Sequence, residues 1–441
     1  MSPDKRSAIF TGLQSFWRYP FSSSRRKRWR ESKQVAHKII IGSRTKSESS
    51  RTILLCAHSI GEQIFGAERS LLDVAKALTD AGFNIVLALQ NGSNVEYLKQ
   101  LQKFAIEIHI FPFDQWKASN SKSDKSVAAI EAFVSVIDRV KPDLIYVNTI
   151  VLRSPLLAAK FRNVPTIVHV REIIDYDQDL QKYIGLDADS IIEQLKASCD
   201  CLIANSATTA ESFVGCNNVI VIPNIVDPKI FDFPNEIAEG VVRFGLISSN
   251  LLKKGIEDFI ELARLCENSI PNARFSIIGP QHWDWIQNYI SKRKAYPSNL
   301  NFIDYQDSSA RAIQLVNVVV NFSHFKESFG RTVLEGMAAG RPTLTYDWGA
   351  LNELVEDEKT GFLVPYREPN LAVKFVQVLC KDLDNLERMG EAARLRALYK
   401  CRADIFKDKI AAACNLAIDT SSKNSPINQS GKQPAMLLDK Y

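Results

Sequence analysis

Two glutamates stand eight positions apart in the run S-H-F-K-E-S-F-G-R-T-V-L-E-G-M-A-A-G-R-P, residues 323–342. The run leaves an apolar strand, crosses a loop containing Gly330 and enters a helix at about Gly330 to Thr332. A helix start carries backbone N–H groups without intrahelical acceptors, and the macrodipole adds positive potential there. Such a start suits a phosphate or diphosphate. Glu327, in the loop, can accept hydrogen bonds from a polyhydroxyl group. Glu335, inside the first turns, can hold a vicinal diol such as ribose through both oxygens.

A second stretch has related properties. S-I-G-E-Q-I-F-G-A-E-R-S-L, residues 59–71, follows a strand and opens a helix, with Gly61 and Gly66 permitting close backbone approach. It is not a G-x-G-x-x-G fingerprint, so a nicotinamide cofactor has little support. Anion binding and a purely structural turn both remain open for it. The eight cysteines, at 56, 199, 201, 216, 266, 380, 401 and 414, show no repeated C-x-x-C spacing. They read as reduced core residues, and no metal is expected.

The elements that must position these residues come from a chain of 441 residues, enough for two or three domains. At 46% apolar and 24% charged, it is ordinary globular material, not a collagen, a coiled-coil rod or a disordered chain. From Arg51, short β-branched runs alternate with helical stretches: T-I-L-L-C-A-H, N-I-V-L-A-L-Q, I-E-I-H-I-F-P, D-L-I-Y-V-N-T, T-I-V-H-V-R, C-L-I-A-N-S and N-V-I-V-I-P-N. After the Pro- and Asp-rich connector at 223–234 the alternation restarts with V-R-F-G-L-I-S, R-F-S-I-I-G-P, L-N-F-I-D-Y, V-V-V-N-F-S, R-P-T-L-T-Y-D and G-F-L-V-P. Runs apolar on both faces suit parallel sheets covered by helices. The expected fold class is α/β, two tandem Rossmann-like doubly wound domains facing a central cleft, with ligands beyond the carboxyl ends of the strands. The expected boundaries are a basic, mobile extension at 1–50, a first domain at 51–225, a second with terminal helices at 226–417, and a disordered tail at 418–441.

The glutamate run resembles the E-x7-E signature of retaining family-4 glycosyltransferases of the GT-B fold. The likeness continues through G-A-L-N-E-L-V at 349–355, T-G-F-L-V-P at 360–365, N-S-A-T-T at 205–209 and V-I-P-N-I-V-D at 221–227, and it covers roughly Arg51 to Asn415. The 59–71 stretch is similar to the family's G-G-A-E loop, with Phe65 in place of the first Gly. The resemblance implies a nucleotide-diphosphate sugar as donor, transfer with retention, and no cofactor. It places Glu327 on the donor sugar hydroxyls and Glu335 on the ribose. Ser328, the amides around Phe329, Gly330 and Arg331, and Gly66 would meet the diphosphate, and Lys254 would neutralise it as it leaves.

Two positions depart from the family. An Arg five or six residues before the Lys is usual, and here Ser248 or Ser249 stands there. A hydroxyl donates a hydrogen bond without the charge that stabilises a departing phosphate, so Arg331 or Arg171 is expected to supply the cation. In I-V-H-V-R-E, residues 167–172, Arg171 occupies the place of a family His, with His169 two residues earlier. Arg171 is expected to face the cleft, whereas His169 reads equally as packed or catalytic. The acceptor is expected to be a lipid-linked or surface-polysaccharide glycan precursor. The missing cation motivates an alternative, a non-catalytic GT-B subunit.

The formal charge is +5, yet residues 1–51 hold 13 Lys and Arg against 3 Asp and Glu, which leaves the remainder at −5. Ile9, Phe10, Leu13, Phe16 and Trp17 fall at helical spacings just ahead of Arg25, Arg26, Lys27, Arg28 and Arg30. That pattern suits an anionic membrane surface contacted through residues 1–30, and a solvated tail is the other reading. No nucleic-acid-binding module is recognisable. Without a long apolar run or a signal peptide, the body is expected in the cytoplasm, peripheral on the inner face of the membrane if the extension binds it.

Overall fold

The β-branched runs form two separate sheets, parallel throughout except for one edge strand, in a computed structural model, which describes residues 37–58, 61–120, 124–281 and 296–424. The first sheet holds β1 (Lys38–Ile41), β2 (Thr52–Ala57), β3 (Asn84–Leu89), β4 (Glu107–Ile110), β5 (Leu144–Val147), β6 (Thr166–Val170), β7 (Cys201–Ala204) and β8 (Val219–Val221). Its order is β1-β4-β3-β2-β5-β6-β7-β8. The second holds β9 (Val242–Ile247), β10 (Ala273–Ile278), β11 (Leu300–Ile303), β12 (Val318–Asn321), β13 (Thr343–Tyr346) and β14 (Gly361–Val364), in the order β11-β10-β9-β12-β13-β14. Strand order reverses between β2 and β5 and again between β9 and β12. Those switch points are where open α/β sheets form ligand crevices.

Central strands are apolar on both faces because each face meets helices. Along β2, Ile53, Leu55 and Ala57 join one core with Leu71, Val74 and Leu78 of the helix Gly66–Asp80, while Leu54 and Cys56 join the other with Phe133 and Ile137. Full burial of one such Leu or Ile contributes about 1.5–3 kcal/mol. All eight cysteines are free, and burial pushes the Cys201 thiol up to about 11.

Two expected boundaries are corrected. The extension does not stop short of the fold at residue 50, because β1 pairs antiparallel with β4, Lys38 against Ile110 through Ile41 against Glu107. Nor do all the terminal helices serve the second domain. The helix Leu383–Lys400 does, but the closing helix Ala403–Asn424 returns to the first domain, where Phe406, Ile410, Ala413, Cys414, Ala417 and Ile418 enter the core under Gly66–Asp80. Arg51 fixes it with hydrogen bonds to Asn415 and Asp419, both 2.7 Å. The helix therefore runs past residue 418, where a tail was expected. The apolar and basic residues of 1–30 lie outside the described residues. Among the described residues no helix is long and apolar enough to cross a membrane.

Candidate active site between the two sheets

A cavity of about 490 Å³ opens at the switch points of both sheets. Two helix starts converge on it. Gly66 opens the first-domain helix Gly66–Asp80 after an extended Phe65, whose N–H donates to Glu68 Oε2 at 3.0 Å. Gly330, at φ +86°, precedes the second-domain helix Arg331–Ala338. A Cβ on Gly330 would lie 2.5 Å from Leu351 Cδ2, so glycine is required there by conformation and by space. A Cβ on Gly66 would lie 3.9 Å from Arg331 Cδ, which shows how closely the two helix starts approach. Their orphan N–H groups and aligned dipoles make this end of the cavity suited to an anion.

Lys254 and Glu327 meet at the same end. Gly255, at φ +74°, lets the K-G turn sit so tightly under β12 that a Cβ would fall 1.8 Å from the Phe322 carbonyl oxygen. Lys254 Nζ thereby reaches Glu327 Oε1 at 3.1 Å, and Ser323 Oγ donates to the same oxygen at 2.7 Å. Both fixed contacts fall on Oε1, so Oε2 remains as the acceptor for a hydroxyl-bearing ligand. Ser248 and Ser249 also line the cavity, and Asn250 N donates to Ser248 Oγ at 2.9 Å.

Glu335 lies one helical turn beyond Arg331 and is only 2% exposed. Arg331 Nε donates to its Oε1 at 3.1 Å, while Arg331 Nη1 donates across the domain boundary to Asp73 Oδ2 at 2.7 Å. Burial works against the Arg331 charge, but the Asp73 and Glu335 carboxylates outweigh it and hold the guanidinium above its ordinary value. Arg331 thus contributes its helix-start amide to the cavity while two of its side-chain donors are engaged elsewhere.

Arg69 was missed in the sequence. It lines the cavity from the first turn of Gly66–Asp80, and its Nη1 stands 3.7 Å from Glu335 Oε2, an ion-pair distance longer than a hydrogen bond. The signal lay in F-G-A-E-R. A cation in the first turn of a helix opposes the macrodipole, and such a local conflict marks a residue held for another purpose.

Two expected positions are corrected. Arg171 does not line the cavity. Its guanidinium donates to Asn148 O at 3.2 Å, Asn148 Oδ1 at 2.8 Å and Asn224 Oδ1 at 2.9 Å, and burial brings it down to about 10. Ser328 also turns away from the cavity. Its Oγ donates to the Arg171 carbonyl at 2.6 Å and accepts from Asn205 Nδ2 at 3.2 Å, tying the two domains together. The Phe329 ring, 5% exposed, packs with Val333, Leu351 and Leu354, which leaves only its backbone near the site. For His169 the packed reading holds. Arg171 Nη2 and Tyr146 Oη both stand against its Nδ1, at 3.1 and 2.7 Å. Since a guanidinium can only donate, Nδ1 is the acceptor and the proton sits on the buried Nε2.

Other ties close the cleft. Ile64 N donates to Tyr305 Oη at 3.0 Å, and that hydroxyl donates back to Ile64 O at 3.1 Å. Glu353 of the second domain accepts from Ala207 N and Thr208 N, at 3.0 and 2.7 Å, at the start of the short first-domain helix Ala207–Ala210.

Two domain families match this chain one after the other. "Glycosyltransferase Family 4" matches residues 64–230, and "Glycosyl transferases group 1" matches residues 230–396. Residues 64–396 therefore consist of a family 4 domain followed by a group 1 domain, on the GT-B fold. Among curated relatives, a trehalose synthase of Pyrococcus horikoshii is 30% identical over 152 residues, covering 32% of this chain and 36% of that protein. A glycogen synthase of Mycobacterium tuberculosis is 24% identical over 268 residues, covering 58% of this chain and 64% of that protein. The chain thus spans between about a third and just under two thirds of the length of these relatives. Among solved structures, Anabaena Alr3699/HepE in complex with UDP and glucose superposes with a TM-score of 0.69 at 19% identity, over 83% of this chain and all of that one.

Proposed function

We propose that this protein transfers a sugar from a nucleotide diphosphate to an acceptor hydroxyl with retention of anomeric configuration. The Lys254–Glu327 contact at 3.1 Å, set between two facing helix starts, carries this reading. In it, the diphosphate lies on the amides of Gly330 and Arg331 and near Gly66, with Lys254 and Arg69 balancing its charge. Arg69 takes the part of the cation missing at Ser248 and Ser249. Glu335 accepts from the ribose diol, and Glu327 Oε2 accepts from a sugar hydroxyl.

Glu327 and Glu335 are the carboxylates on the cavity wall, and each is held by a cation. That arrangement suits orientation better than nucleophilic attack, so the reading takes the front-face route. The anomeric carbon–oxygen bond breaks with its electron pair passing to the diphosphate. The acceptor oxygen forms its bond on the same face, and its proton passes to the departing phosphate oxygen. Helix amides and Lys254 would stabilise the growing charge without a metal. The acceptor is taken to be a lipid-linked or surface-polysaccharide precursor.

Incubation with labelled UDP-, GDP- and ADP-sugars and a glycan panel tests the reading, with proton NMR of the product. An axial anomeric linkage from an axial donor is expected. An inverted product would remove retention, and bound donor with no transfer to any acceptor would favour the non-catalytic subunit.

A further inference from the structure

Beside the cavity, and outside its walls, aromatic rings from both domains gather next to Glu327. The placement is enforced by the backbone. Ala350 N donates to the Glu327 carbonyl at 2.8 Å, and a Cβ on Gly349 would lie 2.4 Å from that same oxygen. The turn that carries Trp348 is therefore packed against Glu327. Trp348 stacks on Tyr366, with centroids 4.5 Å apart and planes at 20°. Tyr176 of the first domain, 55% exposed, meets Trp348 edge-on at 5.9 Å. Lys326, the residue before Glu327, holds its Nζ 4.0 Å from the Tyr176 centroid and 5.7 Å from that of Trp348.

Two properties of this cluster call for a ligand. Among the described residues no carboxylate pairs with Lys326, whose charge rests on ring faces instead. A ring face attracts the cation but engages none of its three N–H donors in a strong hydrogen bond, so they stay available to an anionic oxygen. Independently, the Trp348 indole N–H is buried without a hydrogen-bond partner among the described residues. Trp116 Nε1 is in the same state, so the orphaned indole sets this cluster apart only together with the Lys326 ammonium and the exposed Tyr176 ring beside it.

The chemistry that fits is specific. A pyranose offers a face of C–H bonds, slightly positive, to the negative face of an aromatic ring, and a rim of hydroxyl oxygens to an indole N–H. A phosphoryl group offers charged oxygens to an ammonium at short range. We propose that Tyr176, Trp348 and Lys326 form the acceptor subsite, and that the acceptor is an anionic saccharide: a sugar ring on the aromatic pair with a phosphoryl group on Lys326. The proposal rests on the glycosyltransferase reading, since it places this ring next to the donor sugar held by Glu327. The phosphoryl group has two sources, a free sugar phosphate or a diphosphate joining the sugar to a polyprenyl carrier.

Intrinsic tryptophan fluorescence of the full chain, saturated with UDP, tests it with three probes: methyl α-glucopyranoside, glucose 1-phosphate and a short-chain polyprenyl diphosphoglucose. Both anionic probes are expected to quench at concentrations at least tenfold below the neutral one. W348F should remove most of the change, and K326M should abolish the anionic preference while UDP affinity is unchanged. K326R should retain the preference. Polyprenyl diphosphoglucose binding at least tenfold tighter than glucose 1-phosphate assigns the carrier-linked source, and equal binding assigns the free sugar phosphate. Equal binding of neutral and anionic probes, a preference that survives K326M, or no response to any probe overturns the proposal. UDP binding, measured by calorimetry on the same preparation, reports on the donor site separately, so its loss would count against the glycosyltransferase reading itself.

Discussion

Arg331 of the second domain donates to Asp73 of the first at 2.7 Å, and the same side chain holds Glu335, the carboxylate assigned to the ribose. Closure of the cleft and readiness of the nucleotide site therefore share one guanidinium. Asp73→Asn removes the charge on one side only. Small-angle scattering of the nucleotide-free variant is expected to show a larger radius of gyration than wild type, with saturating UDP narrowing the gap. Identical scattering profiles would show that the Arg331–Asp73 pair does not hold the domains.

Glu335→Gln keeps the shape of the side chain and removes its charge. If it accepts from a ribose diol, nucleotide-sugar affinity should fall by the worth of a hydrogen bond to a charged group, about 1.5–3 kcal/mol. Titration calorimetry with the nucleotide sugar and with a nucleotide lacking the 2′- and 3′-hydroxyls checks the assignment. The variant should lose affinity for the first and little for the second.

Lys254→Met and Glu327→Gln are expected to lower kcat strongly while affinity for the nucleoside diphosphate alone falls less in Glu327→Gln. Because the two side chains touch, the double variant should lose less than the sum of the single losses, with a coupling of about 0.5–3 kcal/mol. Simple additivity, with circular dichroism confirming intact folds, would separate the two roles.

Arg69→Met tests the substitute cation. Turnover should drop at least tenfold, and Ser249→Arg placed in the Arg69→Met background should recover part of it by restoring positive charge from the family's usual side. No loss on removing Arg69 would return the question to Lys254 alone.

Burial and the Arg171 charge hold His169 well below its ordinary value of 6.5, and burial lowers His37 and His109 as well. A depressed histidine stays neutral in the fold while the unfolded chain takes up its proton below 6.5. The stability it contributes is present above that pH and is lost as pH falls toward the folded value. Each preferentially protonated group costs about 1.4 kcal/mol per pH unit in that window. The urea midpoint should therefore fall between pH 7 and 5.5, and His169→Gln should reduce the slope. An unchanged slope in that variant would remove His169 from the acid response.

Much of this architecture was open to reading from local pattern. Every strand from β2 to β14 falls on an apolar run visible in the chain, because a strand buried on both faces writes its burial into consecutive residues. β1 escaped because K-I-I-I gains its meaning from β4, some seventy residues away, and its outer face stays exposed. The closing helix escaped for a similar reason: an amphipathic helix reveals that it packs but not against what. Within the site, Glu327, Gly330 and Glu335 stood out because a glycine at a helix start is a local feature, whereas Lys254 was named only through the family resemblance. Ser328 and Arg171 were misplaced because their partners, Asn205, Asn148 and Asn224, are distant in sequence. Residue type alone could not show that their donors were already engaged.

The return of Ala403–Asn424 to the first domain means that the chain crosses between domains twice, once after β8 and again between Lys400 and Ala403. A body tied at one point can swivel freely, whereas one tied at two points turns easily only about the line that joins them. Relative motion of the domains is thereby reduced toward a single degree of freedom, a swing that brings Gly66 and Gly330 together along a repeatable path. The last helix thus acts as the second pin of a hinge, and the accuracy with which the two half-sites meet depends on a segment that lines no part of the cavity.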